Sequence, residues 1–291
     1  MKPAPFEYFR PRSLDEALSL LAEHGGDAKP LAGGQSLIPA MNFRLATPSV
    51  LVDLNGLGEL SYVSDESGDV RIGGMTRQSA VERSRLVSDR VPLIAETMPH
   101  IAHPAIRNRG TIGGSLAHAD PAAELPAVML ALKASLTVSS RSGAREVPAE
   151  EFFVGLFSTA VQPGELLTEI RIPPPPARTG GAFQEISRRH GDFALVGVAA
   201  VVELDEEGRC AEARIALFSV GDRPMLAPHA AKALAGQPPS DWSIRAAADA
   251  AATQDIDPSS DIHASARYRR QLANVLTRRV LERAFERARQ G

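Results

Sequence analysis

The segment HPAIRNRGTIGGSLAHADPAAELPA, His103 to Ala127, sets two adjacent glycines, Gly113 and Gly114, between the small hydroxyl residues Thr111 and Ser115. A helix-like run rich in Ala and Leu follows from Ala122. Such a loop brings bare backbone N–H groups close to an anion, because a missing Cβ permits unusual bends and close approach. A helix N-terminus just downstream adds positive partial charge. The stretch therefore reads as a phosphate or pyrophosphate seat, with an ordinary turn as the rival reading.

Working outward, the same spelling occurs nearer the N-terminus in KPLAGGQSLIPAMNFR, Lys29 to Arg44. There Gly33 and Gly34 precede the polar Gln35 and Ser36, and an apolar run from Leu37 opens a short helix. Two such loops, each behind a strand, suit one diphosphate gripped from both sides.

Composition narrows the class. The chain has 291 residues, 32 basic and 35 acidic side chains, so it carries no basic footprint for nucleic acid. No window approaches the ~18 to 20 apolar residues of a membrane span, and MKPAPFEYFRPR lacks a secretory apolar core, which points to a cytoplasmic protein. The single cysteine, Cys210, excludes an internal disulfide and a cysteine-ligated iron–sulfur cluster, which takes about four thiolates.

Along the chain, Ser13 and Glu16 form a capping-box signature ahead of Leu14, Ala17, Leu18 and Leu21 at helical spacing, and Gly25–Gly26 stops that helix. A strand over 30–32, a helix over 38–42 and a strand over 50–54 follow. The segment SYVSDESGDVRIGG alternates about a Ser-Gly-Asp turn and predicts a hairpin. Helices are predicted over 77–87, from Pro92 towards Ile101, and over 122–133, the last apolar all round and so sandwiched. Strands are predicted over 135–139 and 166–172, with a short helical turn at EEFFVG between them.

Four prolines, Pro173 to Pro176, can join neither a helix interior nor a sheet centre, and place a domain boundary there. Beyond it, strands are predicted over 181–187, 194–204 and 211–220, then helices over 228–235, 242–253 and 264–287. The last helix aligns Tyr268, Leu272, Val275, Leu276, Val280 and Phe285 near one face, with eight arginines elsewhere as a solvated face.

The segments AGGQSLIPAMNFR and RNRGTIGGSLAHADPAAELPA, in that order, together with GELLTEIRIP (Gly164 to Pro173) and FQEISRRHGDFALVGVAA (Phe183 to Ala200), resemble the FAD-binding medium subunit of the molybdenum hydroxylases, the carbon monoxide dehydrogenase and xanthine dehydrogenase family. The likeness runs through almost the whole chain. It implies an α+β fold: a two-part FAD-binding domain of the vanillyl-alcohol-oxidase/PCMH type over 1–176 (parts about 1–57 and 58–176), and a C-terminal domain over 177–291 with a three-stranded antiparallel sheet and a helical bundle.

The resemblance also implies the chemistry. FAD would be held by Lys29, Pro30, Leu31, Ala32, Gly33, Gly34, Gln35, Ser36 and Leu37 and by Thr111, Ile112, Gly113, Gly114 and Ser115, whose backbones bind the diphosphate. Ile101 and Ala102 match positions near the isoalloxazine ring. Glu124 stands where relatives often carry Asp that accepts a hydrogen bond from the cofactor; Leu167, Gln184 and Phe193 match an apolar, a polar and an aromatic contact, and His118 lines the pocket. On pattern alone Ile101, Leu167 and Phe193 read as core, Glu124 as a helix N-terminal acid, and Arg107 and Arg109 stay open between phosphate contacts and surface ion pairs. His100, His103, His118 and Asp120 resemble a metal set, but Pro104 limits the helix that would align the first pair.

A flavin performs its own redox chemistry, so no catalytic side chain is required here. The implied role is an electron-transfer subunit, taking electrons from [2Fe–2S] clusters on an iron–sulfur small subunit that are supplied by a molybdenum-binding large subunit, in a dimer of heterotrimers. The alternative is a self-contained FAD-dependent oxidase or reductase, with His190 and Asp192 as its only candidate acid/base groups.

Overall fold

The computed structural model describes residues 2–290. Strand β1 (Glu7–Phe9), helix α1 (Leu14–His24), strand β2 (Ala28–Leu31), helix α2 (Leu37–Asn42) and strand β3 (Val50–Asp53) form a parallel sheet in the order β1-β3-β2. The Ser13 hydroxyl caps α1 by accepting from the Glu16 N–H at 3.2 Å. The Glu16 carboxylate, however, reaches past Ser13 to the Arg12 N–H at 2.7 Å, so the box is displaced by one residue. β1 has no sequence signal of its own; three residues between prolines are too short for a period to show. Pro30 is tolerated because β2 is an edge strand. The carboxyl ends of β2 and β3, Leu31 and Asp53, lie side by side.

The second sheet is antiparallel, in the order β4-β5-β10-β6-β7. Its strands are β4 (Val63–Glu66), β5 (Asp69–Gly73), β6 (Ser135–Ser140), β7 (Gly143–Pro148) and, after the small β8 (Phe153–Gly155) and β9 (Ser158–Thr159) hairpin, β10 (Leu166–Ile172). Ser67 and Gly68 close the first hairpin with φ of 56° and 95°, both in the left-handed region that a two-residue hairpin turn needs. Between β5 and β6 run α3 (Gln78–Glu82), α4 (Arg85–Arg90), α5 (Pro92–Thr97), α6 (Pro104–Arg107), α7 (Ile112–His118) and α8 (Glu124–Ala131); α9 (Ala149–Phe152) precedes β8. The single helix predicted over 77–87 is therefore two helices, because the Ser84 hydroxyl accepts from the Val87 N–H and starts a new one.

After the four prolines, β11 (Thr179–Ser187), β12 (Ala194–Leu204) and β13 (Cys210–Phe218) form the three long antiparallel strands, joined by the two-residue β14 (Met225–Leu226). Helices α10 (Pro228–Leu234), α11 (Asp241–Ala250) and α12 (Ala266–Gln290) complete the chain. α12 packs on β11 so closely that a Cβ on Gly180 would lie 2.0 Å from the Ala284 carbonyl oxygen. Its buried stripe keeps Leu276, Val280 and Phe285 of the predicted face and adds Ala273, Ala284 and Ala288, while Tyr268 and Val275 are exposed and Arg269 is buried rather than solvated. Small residues outrank larger ones here because the helix needs to approach a strand.

All eight residues of α8 are buried, as its uniform apolarity predicts. One hydrophobic cluster runs across the prolines, joining Ile101, Leu116 and Leu125 to Phe183, Ala199 and Phe218. The boundary in the sequence is thus bridged by a shared core, in which each large apolar side chain contributes about 1.5–3 kcal/mol.

Candidate functional site

The turn 32–36 leaves the carboxyl end of β2 and borders a cleft of about 420 Å³ with Ile38, Pro39, Asp53, Asn55 and Arg109. The N–H groups of Gly33, Gly34, Gln35 and Ser36 donate to no protein acceptor among the described residues, while the Gln35 side chain folds back to the Gly33 carbonyl at 3.1 Å. A row of unsatisfied donors beside a cleft is a ready seat for an anion. Gly34 has φ of 72°, the conformation that favours glycine. Gly33 is required for another reason: a Cβ there would lie 2.5 Å from the Arg109 carbonyl oxygen and 2.6 Å from the Gly110 Cα.

That contact brings the two glycine turns together, and a Cβ on Gly114 would sit 3.5 Å from the Ala32 Cβ. They converge, yet the second one is not the open loop that its spelling predicts. Gly113 and Gly114 occupy the first turn of α7, and the Thr111 hydroxyl accepts from the Gly114 N–H at 3.0 Å. The Ile112 N–H donates to the Thr76 carbonyl, Gly113 to Gly74 and Ser115 to Thr111. These amides are already engaged in holding α7 against the strand end of β5. Ser115 keeps an uncommitted, half-buried hydroxyl.

Around the cleft, the Asp53 carboxylate accepts from the Tyr8 hydroxyl and the Asn55 amide, and Asn55 Nδ2 also donates to the Ala32 carbonyl at 3.0 Å. Burial pushes the Asp53 carboxyl up, but these hydrogen bonds hold it below its ordinary value. Arg77 donates to Asn55 and to the Arg109 carbonyl, and its own proton affinity is lowered by burial and by the nearby Arg109 charge. The structure also separates the two arginines that the sequence leaves open. Arg107 is buried, bidentate to Glu82 at 2.9 and 3.0 Å, and it donates to the Ile101 carbonyl. Arg109 lines the cleft and meets no carboxylate among the described residues.

The remaining candidates divide. Leu31, Ala32, Gly33, Gly34 and Gln35 line the cleft; Lys29, Pro30, Ser36 and Leu37 flank it in chain order, Lys29 and Ser36 exposed. Ile101 is buried and Ala102 adopts φ of 44°, with a Cβ on Gly191 only 2.8 Å from the Ala102 carbonyl oxygen, so the 188–193 turn rests on this segment. Phe193, at 67% exposure, is a surface residue of that turn rather than core. Leu167 is buried, its carbonyl against Gly74, which in turn meets Gly113. His118 packs at a tilt against Phe157, 5.1 Å between centroids, with burial lowering its proton affinity, while His100 approaches Glu185, so the histidines do not form one group.

Glu124 is buried and its carboxyl is pushed up to about 8, first by burial and then by Glu185. Gln184 shares a strand face with Ala182 and Ile186, which pack towards α12, whereas Phe183 and Glu185 face His100. The polar residue that β11 presents to His100, on the side from which its charge acts on Glu124, is therefore Glu185, since alternate strand residues point to opposite faces. Asp53, Asn55 and Glu185 escaped the sequence reading; the first two stand at the carboxyl end of a parallel strand, where ligands of such sheets lie.

With this geometry in hand, residues 4–175 match the family model for the FAD binding domain in molybdopterin dehydrogenase, and residues 181–284 that for the CO dehydrogenase flavoprotein C-terminal domain. The chain belongs to the FAD-binding medium subunits of the molybdenum hydroxylases. It is 45% identical to the 6-hydroxypseudooxynicotine dehydrogenase complex subunit alpha of Paenarthrobacter nicotinovorans, covering 99% of this chain and 97% of that one. It is 43% identical to the carbon monoxide dehydrogenase medium chain of Afipia carboxidovorans, covering 99% of both. The structure superposes on carbon monoxide dehydrogenase from Hydrogenophaga pseudoflava with a TM-score of 0.95 at 40% identity, again over 99% of both chains.

Such a medium subunit binds FAD, and the residues fit that cofactor: the free amides of 33–36, the close-packed Gly33 and the uncommitted Arg109 offer donors and space to a diphosphate. No described helix is long and apolar enough to cross a membrane.

Proposed function

We propose that this chain holds FAD through the N–H groups of Gly33 to Ser36, the Arg109 guanidinium and the Ser115 hydroxyl, and serves as the electron-transfer subunit of a heteromeric molybdenum hydroxylase. The unsatisfied row of amides in the cleft is the observation that carries the reading. Arg107 braces the Ile101–Ala102 carbonyls, and the 188–193 turn covers that segment, so the chain's contribution is to bind, orient and shield. Bound flavin supplies chemistry that accepts electrons singly and releases them in pairs.

The division at 1–176 and 177–291 then has a purpose: one part seats the cofactor and the other closes over it. Electrons come from [2Fe–2S] clusters on a small partner, fed by a molybdenum cofactor on a large one, and leave to an external acceptor, the whole being a cytoplasmic dimer of heterotrimers. A single-cysteine chain cannot carry those clusters. The test is to purify the chain in excess FAD, measure the flavin released on denaturation, and follow bleaching of the bound flavin when partner subunits and their substrate are added. About one noncovalent FAD per chain and partner-dependent bleaching support the proposal. A folded chain without flavin, or bleaching by substrate with no partner, overturns it.

A further inference from the structure

We propose that Glu124, Glu185 and His100 form a proton-holding site across the seam between the two parts of the molecule, Glu124 holding the proton and His100 its port to solvent. Glu124 begins α8, His100 lies just before Ile101, and Glu185 comes from β11 beyond the prolines. The Glu185 side chain is 4% exposed, its Oε1 lies 3.6 Å from His100 Nδ1, and its Oε2 has no hydrogen-bond partner. Neither acid meets Lys or Arg among the described residues. Two buried carboxylates with no cation in contact except a histidine cannot both remain ionised at moderate cost, so the group retains a proton.

The surrounding charges agree. Glu96 of α5 is engaged by Arg283 and Arg287 of α12, which takes those cations away from the pair. Asp120 precedes α8 and adds negative potential at Glu124, His118 ends α7, and His190 of the covering turn stacks on His100 at 6.4 Å. Burial and then Glu185 push Glu124 up to about 8, and the adjacent Glu185 carboxylate chiefly raises His100. The His100 side chain is 37% exposed against 4% for Glu185, so protons enter and leave through the imidazole. Glu124, neutral near pH 7, then offers an O–H donor where the resemblance implies an acceptor. The site deepens the proposed function, on which it rests: it holds one proton beside the segment 101–102, where a bound flavin would draw on it, and His100 connects it to water.

Isotope-edited infrared spectroscopy of the full chain with ¹³C-labelled glutamate tests this. A protonated-carboxyl band at neutral pH that disappears with a midpoint near 8 is expected. Glu124→Gln removes it, and Glu185→Gln lowers its midpoint by about one unit or more, because a like charge is gone. Thermal stability follows the same proton. Glu124 is raised above its ordinary value of 4.5, so its contribution is fully present below that value and is lost as pH rises through about 8; Glu124→Gln flattens that slope. A spectrum without the band, or a midpoint unmoved in Glu185→Gln, overturns the proposal. FAD retention is scored separately: titration without FAD binding refutes the cofactor reading alone, and FAD binding without the band refutes the proton site alone.

Discussion

Gly33–Gly34 and Gly113–Gly114 are spelled almost alike and meet in space, but they do opposite work. The first turn leaves four N–H groups unsatisfied beside a cleft, and the second has spent its amides on Thr76, Gly74 and Thr111. Gly33 and Gly113 share a reason for being glycine, close approach of another backbone, yet the neighbour of Gly33 is the other turn and the neighbour of Gly113 is the strand end at Gly74. One glycine pair leaves its amides free beside the cleft; its double anchors α7 against the strand end at Gly74. A motif therefore identifies a close approach, and only the partner identifies its use.

The difference is open to attack at its strongest point first. Gly113→Ala places a Cβ 2.5 Å from the Gly74 carbonyl oxygen, where backbone cannot yield cheaply, and is expected to cost about 3–4 kcal/mol in denaturant unfolding. A variant as stable as the parent would show that the second turn is not an anchor. Arg107→Met removes the bidentate partner of Glu82 and the donor to Ile101, with an expected loss of about 3 kcal/mol that appears as unfolding at lower denaturant.

Arg109→Gln sits on the offering side. Its expected effect is a roughly tenfold or greater rise in the FAD dissociation constant, read by flavin fluorescence, with unfolding unchanged, because a charge-assisted contact is lost without a structural one. Equal losses of stability in the two arginine variants would erase the contrast. Phe193→Ala is the smallest: an exposed side chain should change unfolding by less than about 0.5 kcal/mol, while the visible spectrum of bound flavin shifts if the ring approaches it.

Much of the fold is legible locally. Ser13 starts α1, the Ser67–Gly68 turn closes its hairpin, and the all-apolar α8 announces burial on every side. What escaped has a consistent cause. Ser84 interrupts a helical pattern with a cap that propensity alone does not weigh, and α12 buries a stripe of small residues because β11 comes close at Gly180. In the site, the cleft-lining backbone of 31–35 was legible from its spelling and the family resemblance, whereas Asn55 and Asp53 enter only because parallel strands end side by side.

The sequence by itself determined most of the elements, the membership of the family and the presence of two close-approach turns, since caps, periods and glycine pairs act over a few residues. Tertiary structure alone decided which amides stay free, which of Arg107 and Arg109 is already paired, and that Glu185 rather than Gln184 approaches His100. Each of those outcomes depends on an acceptor, an acid or a strand face supplied from elsewhere in the chain, and a hydrogen bond or buried charge is settled by the group it meets.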